Sequence, residues 1–98
     1  MAYSLEDAIQ GRIRYNQARI DPLHSRVFNR DKQIWIDTLG SAPTDLRMLD
    51  LEIGRKKRRL ENENQAANKW MIHAEVEALE WVRGRIICQD FELWAKAA

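Results

Sequence analysis

Arg55, Lys56, Lys57, Arg58 and Arg59 set five cations side by side in a chain of 98 residues. On a helix, successive residues turn by about 100°, so these five point all round the axis. Crowded like charges repel one another, and an anionic partner relieves them: a phosphate backbone is one such partner, an acidic protein surface another. The plainer alternative is a solvated helix whose cations are neutralised by Asp50, Glu52, Glu61 and Glu63.

Tryptophan is the second candidate for binding chemistry, with four copies in this short chain. Trp70 and Trp81 sit inside an apolar-patterned segment and read as core. Trp35 and Trp94 fall near the expected ends of elements and read as exposed anchors, since Trp supplies contact area at little entropy cost. Pro43 is the third candidate. In Gly40-Ser41-Ala42-Pro43-Thr44 a small residue precedes proline in a loop, and such a bond exchanges slowly between cis and trans. It is a candidate docking point for a prolyl isomerase; an ordinary loop proline is the simpler account.

Catalytic and metal-binding patterns are not found. His24 and His73 lie far apart, and His73 with Glu77 shares a helix face but makes only half a zinc site. Cys88, beside Ile86 and Ile87, reads as a small buried hydrophobe instead of a nucleophile. There is no glycine-rich phosphate loop. The acid pairs Glu75 with Glu80 and Asp90 with Glu92 are of a kind common on helix surfaces. These residues therefore point to binding and not to catalysis, with no cofactor and no metal expected.

The elements that must carry these residues read as all-α. The expectation is one small helical domain over residues 1–98, of three to four helices, with a long helical C-terminal half. Two prolines and four glycines are few interruptions. A first helix begins at Ser4, whose hydroxyl can cap, with Asp7 three residues on; Leu5, Ile9 and Ile13 form its stripe. Asp21-Pro22 opens a second helical region that runs to about Leu39. Asn29-Arg30-Asp31 is a candidate break in it, and Ile34-Trp35-Ile36 a candidate short strand. After the Gly40–Thr44 loop, Thr44 or Asp45 caps a third helix, and Leu46, Leu49, Ile53 and Leu60 follow a near-heptad seam. Glu61 to Gln65 reads as a hinge, a turn or an exposed face.

The last third is the most apolar. Trp70, Met71, Ala74, Ala78, Trp81 and Val82 line one face, and Ile72, Val76, Leu79 and Ile86 an adjacent one. That exceeds what a one-sided surface helix needs, so this helix is either the centre of the fold or keeps a face for a partner. Charge is divided along the chain. Residues 1–60 carry 12 Lys/Arg against 8 Asp/Glu, a net of +4; residues 61–98 carry 4 against 7, a net of −3. A single cysteine excludes an intrachain disulfide and suits a reducing cytoplasm. No apolar stretch approaches the length of a membrane span, and the acidic N-terminus has no signal pattern.

At the level of the whole chain the sequence resembles the family of anti-RecBCD protein 2, from the Abc system of lambdoid phages. The resemblance rests on length and layout, on Met1-Ala2-Tyr3-Ser4-Leu5-Glu6-Asp7, on Arg55–Arg59, and on the segment from Lys69-Trp70-Met71-Ile72-His73 to Glu80-Trp81-Val82-Arg83. It implies a phage-encoded protein in the host cytoplasm that binds the RecBCD helicase–nuclease through its RecC subunit. It further implies that the partner is altered to favour phage recombination and spare phage DNA ends. No catalytic residue is implied. The basic run would then meet acidic residues of the partner or single-stranded DNA near the complex, and the isomerase at Pro43 would be a host enzyme. The alternatives are a small helical nucleic-acid-binding protein that uses Arg55–Arg59 directly, and a structural or assembly protein.

Overall fold

The computed structural model describes residues 4–18 and 25–88, and for residues 25–28 the backbone alone. Four helices account for nearly all of them: α1 Leu5–Ala18, α2 Ser25–Gly40, α3 Leu46–Asn62 and α4 Ala66–Cys88. No strand occurs among the described residues.

Local chemistry sets most of the boundaries. The Ser4 hydroxyl accepts from the Asp7 amide at 3.2 Å while the Asp7 carboxylate accepts from the Ser4 amide at 3.3 Å. This reciprocal capping box satisfies two donors that the first turn of α1 would leave open. At the end of α2 the Ser41 hydroxyl reaches the carbonyls of Asp37 and Thr38 at 3.1 and 3.2 Å. Asp45, and not Thr44, caps α3, its carboxylate accepting from the Arg47 amide at 2.8 Å. Of the polar stretch 61–65, Glu61 and Asn62 finish α3 and Glu63 to Gln65 form the turn. Glu63 organises that turn, accepting from the amides of Asn64 and Gln65 at 3.1 Å each. The Gln65 amide, foremost, holds the Glu63 carboxyl below its ordinary pKa.

α2 corrects two expectations. It runs unbroken through Asn29-Arg30-Asp31, and Ile34-Trp35-Ile36 is helix, not strand. Trp35 and Leu39, one turn apart, are both buried in the main core. Packing of that kind outweighs the few tenths of a kcal/mol by which Asn and Asp disfavour helix. The proposed boundary at Asp21-Pro22 lies outside the described residues.

α4 is the centre of the fold. It runs antiparallel to α3, with Arg83 paired to Asp50 at one end and Lys56 to Glu75 nearer the other. It runs parallel to α2, with the Arg30 guanidinium over Trp70 at 5.7 Å and, further along both helices, Trp35 against Trp81 at 6.3 Å between ring centroids. Ile72, Ala74, Val76, Ala78, Leu79 and Val82 are buried around more than half of its circumference. α1 packs on α2 and adds Leu5 and Ile9 to the edge of the core. Three side chains depart from expectation. Trp35 is 5% exposed and belongs to the core, so it is no surface anchor. Met71, near the start of α4, is 41% exposed. Cys88 ends the last described turn and is exposed, not buried. None of the described helices is long and apolar enough to cross a membrane.

One group sits uneasily. Asp31 of α2 is half-buried beside α4, and its Oδ1 finds no hydrogen-bond partner among the described residues. Burial, then the neighbouring Glu77 carboxylate, raise its pKa, and His73 offsets part of the rise. The folded chain therefore holds that proton more tightly than the unfolded chain does. Ionised Asp31 opposes folding above its folded pKa, and the penalty fades as pH falls through that value toward the unfolded one. Asp31→Asn should raise stability at pH 7, by less than about 1 kcal/mol for a half-exposed group. The gain should vanish in urea melts run below the unfolded carboxyl pKa. Trp35→Ala should cost roughly 3–5 kcal/mol in the same melts, whereas Met71→Ala should fall within about 0.5 kcal/mol of the parent.

Candidate partner-binding surface

Helical geometry sorts the five cations into two groups. Leu49 and Ile53 mark the side of α3 that faces α4. Lys56, three residues after Ile53, stays on that side, and Lys57 flanks it. Both find acids on α4. Lys56 Nζ lies 2.6 Å from Glu75, with Glu52 at 3.7 Å on its other flank, and Lys57 Nζ lies 2.8 Å from Glu80. The Lys56–Glu75 side chains are only about one-fifth exposed, at 19% and 20%. Removing one partner there leaves a charge poorly solvated. Lys57 and Glu80 are half in water, where such a pair contributes at most about 1 kcal/mol.

The neutralising partners thus differ from those expected. Glu52 serves as expected, at 3.4 Å from Arg55. Asp50 is taken by Arg83 instead. Glu61 joins no ion pair among the described residues, and Glu63 acts on Arg59 only through its nearby charge. Glu75 and Glu80 do most of the work, and they are 19 and 23 positions away from the lysines they meet. The basic and acidic parts of the chain lie side by side and partly cancel.

The remaining three cations point outward. Arg55 is 73% exposed at its side chain despite Glu52. Arg58 donates to the Gly54 carbonyl at 3.4 Å, within its own helix, and Arg59 is exposed. At 100° per residue they share one arc of α3 with Arg47, Met48, Leu51 and Asn62. Every one of these residues is exposed, Met48 at 52% and Leu51 at 56%, and the arc contains no carboxylate. Leu51 lies one turn from Arg47 on one side and Arg55 on the other, with Arg58 two turns on. The surface carries two apolar side chains near its N-terminal end and four arginines spread along its length.

Arg47, Met48 and Leu51 escaped sequence reasoning. The signal was present: 48, 51, 55, 58 and 62 repeat with 3–4 spacing, opposite the seam formed by 46, 49, 53 and 60. Of the other expected site residues, Trp35 is enclosed against Trp81 and is withdrawn from the surface. Trp94 lies outside the described residues. Pro43 is half-buried and lines a cleft at the α2–α3 junction with Ser41, Glu52 and Lys56. Ala42 packs against the core and its amide donates to the Leu39 carbonyl at 3.2 Å, so the Ala42-Pro43 bond is held more firmly than a free loop would hold it. Met48 lines the same cleft, which brings Pro43 to the margin of the arginine arc. Among the described residues no three His, Cys, Asp or Glu side chains gather as a metal ion would need.

Searches of family models, curated proteins and solved structures give no match to this chain.

The division of the run is directly measurable. Lys56→Ala should destabilise the chain by roughly 1–3 kcal/mol, because Glu75 is left half-buried and unpaired. Combined Arg55→Gln, Arg58→Gln and Arg59→Gln should leave the urea midpoint nearly unchanged, with each exposed change worth at most about 0.5 kcal/mol. Equal losses in the two variants would erase the distinction between structural lysines and outward-facing arginines.

Proposed function

We propose that this chain is a non-catalytic phage protein that binds the host RecBCD helicase–nuclease through RecC. Binding redirects the enzyme, so that DNA ends are spared and enter phage recombination. The observation that carries the binding part is the outer arc of α3. Four arginines share that arc with two exposed apolar side chains, and of the four only Arg55 makes an ion pair among the described residues, to Glu52 at the edge of the arc. Such a surface stays uncompensated until a complementary one meets it. The choice of RecBCD as partner is supported by the resemblance of the Met1–Asp7, Arg55–Arg59, Lys69–His73 and Glu80–Arg83 segments to the anti-RecBCD family.

The four arginines also favour a second reading, in which the chain binds nucleic acid directly. The two readings differ in salt dependence. Phosphate contacts release counterions, and affinity then falls steeply, with a slope near one log unit per contact.

The test is retention of purified RecBCD on the immobilised chain, together with degradation of linear duplex DNA by RecBCD with and without the chain. Retention and altered degradation are expected, and the triple Arg→Gln variant should weaken both. No retention and unchanged degradation would remove RecBCD as the partner. Tight, salt-steep binding of DNA by the chain alone would favour the second reading.

A further inference from the structure

We infer that the outer face of α3 receives an acidic amphipathic helix from a protein partner. Met48 and Leu51 take its apolar stripe, and Arg47, Arg55, Arg58 and Arg59 take its carboxylates. This deepens the partner-binding reading above and rests on it, but it is independent of RecBCD as the partner.

Three features select this occupant. The first is the arrangement of polarity. Leu51 lies near the N-terminal end of the arc beside Met48, with Arg47 before it and Arg55, Arg58 and Arg59 after it along the helix. Protein interfaces combine apolar and charged side chains, and they are enriched in Met and Arg and depleted in Lys. The fold has turned its two lysines of the run toward α4 and left the arginines outside. The second is charge. With four arginines, of which only Arg55 is ion-paired among the described residues (to Glu52 at the edge of the arc), the face calls for further carboxylates, which a guanidinium binds through two parallel hydrogen bonds. The third is shape. α3 has 17 residues and rises about 1.5 Å per residue, so the face is a straight strip about 25 Å long. A helix of similar length laid along it meets side chains at each turn.

The same features argue against other occupants. A second copy joined face to face through this arc would set arginine against arginine, because a twofold contact must complement itself. A phosphate backbone would use the arginines but lay its charge over Leu51 and Met48, which gain nothing from it. A membrane surface needs a broad apolar face, and this arc offers two apolar residues.

The test is a titration of the intact, isotope-labelled chain followed by amide NMR shifts. The probe is a designed 17-residue peptide with Leu on one helical stripe and Glu flanking it. The comparison probes are the same peptide with Gln for Glu, a poly-Glu peptide, single-stranded DNA of similar length, and phosphatidylserine vesicles. The Leu/Glu peptide should bind more tightly than every other probe and shift amides around Met48, Leu51, Arg55 and Arg58. Arg55→Glu with Arg58→Glu should weaken it at least about tenfold, and Met48→Ser with Leu51→Ser by a similar factor. All four positions are exposed, so circular dichroism should show intact helices; Arg55→Gln with Arg58→Gln serves if the reversed charges perturb the fold. The inference is overturned by no binding of the Leu/Glu peptide or by shifts confined to other helices. It is equally overturned if DNA or vesicles bind the arc as tightly, or if the serine variants bind unchanged. Peptide binding without RecBCD retention keeps this inference and removes RecBCD; the reverse result removes this inference alone.

Discussion

α4 is buried around more than half of its circumference, and the other helices take their places from that fact. A surface helix hides one stripe of roughly 100°. α4 hides Ile72, Ala74, Val76, Ala78, Leu79 and Val82, which spread much further round. One neighbour cannot cover that arc, so α3 lies against one side and α2 against another. The leftover strip carries His73, Glu77 and Glu80, which are exposed. The alanines at 74 and 78 permit close approach, and Trp35 and Trp81 fill the space that opens between α2 and α4. In so small a domain this single sandwiched helix supplies much of the apolar burial that opposes chain entropy.

The antiparallel pairing of α3 with α4 also decides the electrostatics. Once Leu49 and Ile53 face α4, Lys56 and Lys57 are carried to the seam and Arg55, Arg58 and Arg59 away from it. Glu75 and Glu80 meet the lysines because the turn at Glu63–Gln65 fixes the register of the hairpin. A run that looks uniform along the chain thus has two jobs. Its lysines meet acids across the hairpin, where part-burial makes the loss of either Lys56 or Glu75 costlier than the loss of one partner of an ordinary surface pair. Its arginines stay in water, and joining them to Arg47, Met48 and Leu51 makes a surface of mixed character.

That surface suits a protein that works by contact. It is formed on a helix clamped along its opposite side, so its side chains start from a fixed backbone, and less order has to be gained on binding. Pro43 lies beside it, across the cleft that Met48 also lines. The α2–α3 junction and the arginine arc therefore form neighbouring parts of one side of the molecule. Asp31, by contrast, lies on α2 beside Glu77, in a place where the fold tolerates an unfavourable charge.

The sequence by itself determined the helical class, the capping by Ser4 with Asp7, the surplus of apolar surface in the last third, and the apolar seam of the third helix; that the last third is the centre was one of two readings it left open. These follow from local hydrogen bonding and from apolar spacing, which act within a few residues. It left a break at Asn29–Asp31 and a short strand at Ile34–Ile36 open for the same reason: local preference there is weak, and the burial of Trp35 and Leu39 decides for helix. It also misplaced Trp35 and Cys88, since nearness to an element's end does not say which way a side chain faces. Which acids answer the lysines of the Arg55–Arg59 run was decided by tertiary structure alone. Charge neutralisation depends on distances of a few ångströms, and only the folded hairpin brings Glu75 and Glu80 that close to Lys56 and Lys57, while the arginines meet no acid of α4.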